Sequence, residues 1–170
     1  MCGIIGVIGH SKVSSLLIEG LKRLEYRGYD SAGIATLLNG KIDRRRSLGK
    51  IENLKKLLKK SPIKGNVGIG HTRWATHGIP SRANAHPHSS EDVALVHNGI
   101  IENYDVLRKD LERKNIIFES DTDTEVIAHL ISFFLKKKLS PLKATITALK
   151  KVEGAFALGI IFSGINNYLI

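Results

Sequence analysis

The chain holds one cysteine, one methionine and one tryptophan in 170 residues. A single cysteine excludes an internal disulfide framework, so the core must hold by packing. No apolar run is long enough to span a bilayer. The N-terminus has no charged segment ahead of its apolar residues, as a secretory signal would require. Together these features point to the reducing cytoplasm and to no membrane partner. Acidic residues are also scarce, 16 against 26 Lys and Arg, for a formal net charge of +10. Such an excess suits nucleic acid or anionic substrates. The basic residues, however, gather at Lys41–Lys50, Lys55–Lys64, Lys136–Lys138 and Lys143–Lys151, with few aromatics among them and no helix-turn-helix or RNA-binding signature. They read as a solvated, lysine-rich surface with no nucleic-acid partner.

What is present is a 42% apolar chain of a length that suits one domain with a sizeable core. Ile4–Ile8 reads as a strand. Val13, Leu16, Leu17, Leu21 and Leu24 share a helical face, with Ser11 as its cap. Ala32–Leu38 and Lys41–Arg46 flank Asn39-Gly40, a strong hairpin signal. Ile51–Lys60 reads as a short basic helix and Val67–His71 as a strand. A long irregular stretch then runs to Glu91, of a length that usually marks function or disorder. Val93–Val96 reads as a strand ending at His97-Asn98-Gly99, Tyr104 to Leu111 as a helix, and Ile116–Phe118 as a short strand. Thr122 and Glu125 have capping-box spacing before the apolar stripe Val126, Ile127, Leu130, Ile131, Phe134 and Leu135. Ser140-Pro141 opens a last helix to about Val152, and Ala155–Phe162 is an apolar strand. Hairpin-linked strands with helices between them predict antiparallel sheets covered by helices, not a doubly wound parallel sheet. Tyr168-Leu169-Ile170 looks like another strand, so the expectation is a domain cut short at its C-terminal end.

The lone cysteine stands at position 2, where removal of Met1 would make it the N-terminal residue. A terminal cysteine carries a thiol that titrates near about 8.5 and an α-amine near about 7.7–8.0 on one carbon. The amine can take the thiol proton at neutral pH, giving a nucleophile with a built-in base. Glycine alternates with branched aliphatics from Gly3 to Gly9, which suits a buried strand approached closely by backbone or substrate.

Four segments then carry a resemblance: Met1-Cys2-Gly3-Ile4, Tyr26-Arg27-Gly28-Tyr29-Asp30-Ser31-Ala32-Gly33, His71 to Gly78, and His97-Asn98-Gly99-Ile100-Ile101-Glu102-Asn103-Tyr104. They resemble the N-terminal glutaminase domain of the glutamine–fructose-6-phosphate aminotransferase (isomerising) family. Such domains are class II glutamine amidotransferases of the N-terminal-nucleophile hydrolase fold. The stretch Ser120–Glu125 is similar too, with Asp121 where the family usually has glutamate. The resemblance implies an α+β, four-layer α/β/β/α fold with two stacked antiparallel sheets, occupying residues 1–170 and incomplete, with the sugar-isomerase domains absent. It implies that Cys2 attacks the side-chain amide of L-glutamine to form a glutamyl thioester. The side chain of Asn98 and the backbone N–H of Gly99 would hold the oxyanion. Arg73 would grip the α-carboxylate through its fork and Asp123 the α-ammonium, while Trp74, Thr76 and His77 complete the pocket. Arg27 and Tyr29 would pack beside the nucleophile. No cofactor and no metal are implied. The partner implied is a sugar-isomerase (synthase) domain, encoded separately, without which the chain can at most hydrolyse glutamine to glutamate and ammonia.

Two other chemistries use the same residues: a Cys–His hydrolase with Cys2 activated by His71, His77, His86 or His97, and a metal site at His86, His88 and His97. A third alternative is a non-catalytic remnant or binding module of the same family.

Overall fold

Period-2 alternation along the strands sorts the apolar side chains into three separate cores. The computed structural model describes residues 2–170; Met1, with the expected loss of that residue, lies outside them, and so does the side chain of Arg27. Strands β1 (Gly3–Ile8), β2 (Ser31–Leu38), β3 (Lys41–Leu48) and β4 (Val67–Arg73) form an antiparallel sheet in the order β1-β4-β2-β3. Strands β5 (His88–Ser89), β6 (Val93–Ile101) and β7 (Gly154–Phe162) form a second, in the order β5-β6-β7. The first sheet is covered by α1 (Ser14–Arg23) and α2 (Ile51–Lys60), the second by α3 (Tyr104–Glu112), α4 (Glu125–Lys136) and α5 (Pro141–Leu149).

Ala35, Leu37, Val67 and Ile69 of one sheet meet Ala94, Val96 and Ile161 of the other. Their neighbours in sequence point the opposite way. Ala32 and Ile34 join Val13, Leu17 and Leu21 under α1. Val93, Leu95, Ile160 and Phe162 join Val126, Ile127, Leu130 and Ile131 under α4. The layers are therefore helix, sheet, sheet, helix, as expected. Among the described residues no helix is long and apolar enough to cross a membrane.

Several local expectations hold. Asn39 and Gly40 both take positive φ, 50° and 75°, and close the β2–β3 hairpin. Such a turn matches the twist of the strands it joins. Ser140 and Pro141 open α5, which ends at Leu149.

Others do not. The residue before α1 is Val13, with no side-chain cap, and the buried face is Leu17, Ile18 and Leu21, while Leu16 is 49% exposed. Thr122 and Glu125 form no capping box. Helix α4 begins at Glu125, whose carboxylate reaches back to the N–H groups of Glu119 and Ser120 at 2.8 and 2.7 Å. Ile116–Phe118 is not a strand; Ile116 and Phe118 lean on the α3–α4 core instead. Strand β6 runs on to Ile101, so Asn98-Gly99 lies within it and not at its end. Tyr168–Ile170 is not assigned as a strand, yet Ile170 exchanges both backbone hydrogen bonds with Ile160, at 2.7 and 3.1 Å.

The irregular stretch after β4 is folded inward, with Asn84 to His88 buried. Arginines expected to be solvated hold it there. Arg46 Nη1 donates to the carbonyls of Ala83 and Ala85, at 2.8 and 3.1 Å, and Arg44 Nη1 donates to Pro87 at 3.1 Å. Burial, and then the like charge of Arg44, pull the Arg46 guanidinium down to about 10. At Gly33 of β2 the loop comes so close that a Cβ would lie 2.2 Å from the His86 carbonyl oxygen and 2.8 Å from that of Arg45. Both neighbours are backbone and cannot swing aside. Gly33→Ala is therefore expected to lose about 1–3 kcal/mol of stability through overpacking. Chemical unfolding measures it, and an unshifted midpoint would mean that the loop is not held against β2.

Candidate active site

At one end of the sheet pair the apolar inter-sheet core gives way to polar side chains, and a narrow cleft opens there. It is lined by Cys2, Arg73, Trp74, Thr76, His77, Gly99 and Asp123, all singled out from the sequence, and by His86, His97, Thr122 and Thr124.

Cys2 precedes β1, which pairs with β4 from Gly3 opposite Thr72 onward. That register sets the thiol beside the turn leaving β4. The Trp74 N–H donates to Cys2 Sγ at 3.3 Å, and the thiol donates to the Trp74 carbonyl at 3.6 Å. Asp30 clasps the same turn: its N–H donates to the Arg73 carbonyl at 2.7 Å and its Oδ2 accepts from the Ala75 N–H at 2.5 Å. Asp30 belongs to the segment Tyr26-Arg27-Gly28-Tyr29-Asp30-Ser31-Ala32-Gly33. Its place before β2, beside the end of β4, is a matter of sheet order.

Arg73 is the last residue of β4 and is only 3% exposed. Its Nη2 donates to the carbonyls of His77 and Gly78, bending the loop around the guanidinium. Its Nη1 lies 3.7 Å from Asp30 Oδ1 but makes no hydrogen bond among the described residues, although it is buried. A buried guanidinium N–H without an acceptor is costly.

Asp123, 4% exposed, sits across the cleft just ahead of α4. Its Oδ2 accepts from the Ile101 N–H at 2.9 Å and lies 3.9 Å from His77 Nδ1. A carboxylate has about four lone-pair sites, so capacity remains for a cation. Glu125 anchors this segment. Burial alone would raise its pKa, but hydrogen bonds from His129, from the N–H groups of Glu119 and Ser120 and from the Ser120 hydroxyl outweigh it and hold the carboxyl at about 2.

Gly99 has φ 144°, and a Cβ there would lie 2.1 Å from the Ala155 carbonyl oxygen, so only glycine fits. Asn98, one residue earlier, is exposed and is not among the residues lining the cleft. Tyr29 is not among them either. Its hydroxyl accepts from the Ile51 N–H at 2.7 Å and donates to Glu25, which fixes the loop against the start of α2. Burial, then the Glu25 contact, raise the phenol to about 12. The expectation for Arg27 concerns a side chain outside the described residues.

Four histidines form a buried cluster at the cleft, with His86 and His97 in its lining. His71 and His86 stack at 4.1 Å, and His88 meets His86 edge-on at 4.6 Å. His86 Nε2 and His97 Nδ1 share the Thr124 hydroxyl at 3.0 and 2.8 Å, while His88 Nε2 meets the Thr122 hydroxyl at 3.1 Å. These rings are tied to hydroxyls and, for His71, to the His97 carbonyl, while the sulfur of Cys2 is engaged with backbone. Among the described residues no group of three His, Cys, Asp or Glu is arranged to hold a metal. Burial pushes His71 and His88 down to about 3 and His86 well below its usual value, and it lowers His97. The cluster is neutral. Nothing in the local pattern marked these rings as structural, because histidines spaced 15, 2 and 9 residues apart show no periodicity.

A family model described as a glutamine amidotransferase domain matches residues 71–169. Over 170 residues the chain is 56% identical to a glutamine–fructose-6-phosphate aminotransferase (isomerizing) of Mesorhizobium japonicum and 57% identical to that of Bartonella henselae. Those alignments take in all of this chain but 28% of each relative, so it spans little more than a quarter of their length. Among solved structures, a glutamine phosphoribosylpyrophosphate amidotransferase from B. subtilis superposes with a TM-score of 0.79 at 30% identity, over 95% of this chain and 35% of that one. A glutamine aminotransferase class-II domain protein from Silicibacter pomeroyi superposes with a TM-score of 0.62, over 95% of this chain and 72% of that one; at 14% identity it shows the fold alone. Two antiparallel sheets between helical layers, with an N-terminal-side cysteine at their polar end, define an N-terminal-nucleophile amidotransferase architecture. The chain belongs to the glutamine amidotransferase domain family.

The buried neutral rings and the Glu125 carboxylate set the acid response. A histidine whose folded pKa lies below its unfolded value takes up a proton on unfolding, so its contribution falls as pH drops below about 6.5. Glu125, also depressed, withdraws its contribution as pH falls from about 5 towards 2. Stability is therefore expected to decline from pH 6.5 downward and more steeply below 5. Glu125→Gln removes the added steepness below pH 5, on the order of 3 kcal/mol. Urea midpoints between pH 3 and 8 test this, and a flat profile from 6.5 to 5 would mean that the histidines are not buried neutral.

Proposed function

We propose that this chain hydrolyses the side-chain amide of L-glutamine to glutamate and ammonia through a glutamyl thioester on Cys2. The observation that carries the reading is the cleft itself, which Cys2, Arg73, Asp123 and Gly99 line together. An α-amino acid needs an anion grip and a cation grip on opposite sides of its α-carbon. Arg73 and Asp123 supply the two charges.

With Met1 removed, the Cys2 α-amine takes the thiol proton as sulfur attacks the amide carbon. The negative oxygen is received by the Gly99 N–H and the Asn98 side-chain amide. Collapse breaks the carbon–nitrogen bond, and the protonated amine returns its proton to departing ammonia. Water then attacks the thioester, with the same amine as base, and glutamate leaves with the thiol restored. Trp74, Thr76 and His77 shape the wall of the site. Tyr29 supports it from behind.

The names of the relatives support a finer reading. Ammonia released here would pass to a sugar-isomerase (synthase) domain acting on fructose 6-phosphate in amino-sugar synthesis. A cytoplasmic setting, which keeps Cys2 reduced, belongs to the same proposal.

Two measurements test the chemistry. Intact-mass analysis after incubation with a glutamine-like diazoketone is expected to show loss of Met1 and one adduct, suppressed by glutamine. A chain that loses Met1 and stays unmodified would favour the non-catalytic reading. Arg73→Lys and Asp123→Asn are each expected to raise KM for glutamine by roughly 30- to 1,000-fold, the range for truncating a buried charge pair. A KM within threefold of the parent would remove that residue from the substrate grip.

A further inference from the structure

Strand β5 pairs with β6 only at Ala94 and Leu95, so among the described residues the edge of β6 beyond Leu95 has no neighbouring strand. In an antiparallel strand, alternate residues send both backbone groups to the same edge. The even-numbered residues at each end of β6 bond towards β7: the Asp92 carbonyl accepts from Ser163 at 2.8 Å, and the Glu102 N–H donates to Glu153 at 2.9 Å. The odd-numbered ones face the other edge. There the Val93 carbonyl accepts from the Ser90 N–H at 2.9 Å, and the Ile101 N–H donates to Asp123 at 2.9 Å. Between them, the His97 carbonyl accepts from His71 Nε2 at 2.8 Å. Gly99 falls in the same odd series and lines the cleft.

We propose that His71 is a positioning residue for the oxyanion site: by bonding the His97 carbonyl it fixes the strand segment carrying Asn98 and aims the Gly99 N–H into the cleft. A carbonyl only accepts, so the ring proton is on Nε2, and the buried Nδ1, which has no partner among the described residues, is the unprotonated nitrogen. The ring cannot swing, being fully buried and stacked on His86. His71 also lies two residues before Arg73 on the same face of β4. One side chain thus ties the strand that would grip the carboxylate to the strand that would hold the oxyanion. The two points gripping opposite ends of a glutamine keep a fixed separation. Without that bond, a buried carbonyl at an open strand edge is left unsatisfied, a penalty that a turn of the peptide would relieve.

The catalytic consequence rests on the glutaminase reading; the geometric one does not. In His71→Leu the amide NMR signals of Asn98 and Gly99 are expected to shift. The kcat for glutamine is expected to fall about 10- to 100-fold, less than loss of a donor outright, with KM within threefold. The γ-aldehyde of glutamate, which forms a tetrahedral adduct with the thiol, should lose affinity by a similar factor while glutamate does not. His71→Gln, which retains an N–H donor, should recover most of the loss. Unshifted Gly99 and Asn98 amides, an unchanged kcat, or parallel losses of aldehyde and glutamate affinity would overturn the proposal. A parent chain with shifted amides in the variant but no glutaminase activity of its own would overturn the proposed function and leave the positioning role standing. Should His71→Leu lose cooperative unfolding, His71→Asn replaces it, since its amide falls short of the carbonyl, and the same outcomes decide.

Discussion

An open strand edge inside a protein has to find partners for its backbone, and β6 is such an edge. Its neighbour β5 is two residues long. Past that point the backbone of β6 is met by side chains: His71 at the His97 carbonyl and Asp123 at the Ile101 N–H. A full-length β5 would have occupied this edge with ladder bonds and left no donor facing the cleft. The brevity of one strand and the polarity of the site are one structural fact.

The same constraint explains why so many polar groups are buried together. His71, His86, His88, His97, Thr122, Thr124 and Asp123 are each no more than 5% exposed. Burying polar groups is unfavourable unless they are bonded, and partly satisfied networks are the worst case. Here the hydroxyls of Thr122 and Thr124 serve three of the four rings, and a carbonyl serves the fourth. Uncharged imidazole suits such a place because one nitrogen donates while the other needs only shielding.

Much of the architecture was legible in the sequence. The alternation of apolar residues, the Asn39-Gly40 turn and the Ser140-Pro141 start depend on neighbours in the chain, and these came out as read. The family motifs named Cys2, Arg73, Gly99 and Asp123, which the fold brings to one cleft. What stayed hidden depends on distant partners. Glu125 looked like half of a capping box because its spacing was right, but the loop at Glu119 and Ser120 competed for its carboxylate. Asp30 and His71 lie inside the motifs, yet their roles come from the register of β4 between β1 and β2 and from the facing sheet. Arg44 and Arg46 read as surface charge because nothing local shows that carbonyls from the eighties lie above them.

Those two arginines give the basic surface a division of labour. Most of its lysines act at long range, through a field that dissolved salt screens within about 10 Å at ordinary ionic strength. Arg44 and Arg46 act at contact, through neutral peptide carbonyls at 2.8 to 3.1 Å. Raising ionic strength would erase the outward pull of the charge while leaving the wall of the cleft braced. The long-range field of the surface and the bracing of the cleft wall thus rest on the same kind of residue and respond to salt differently.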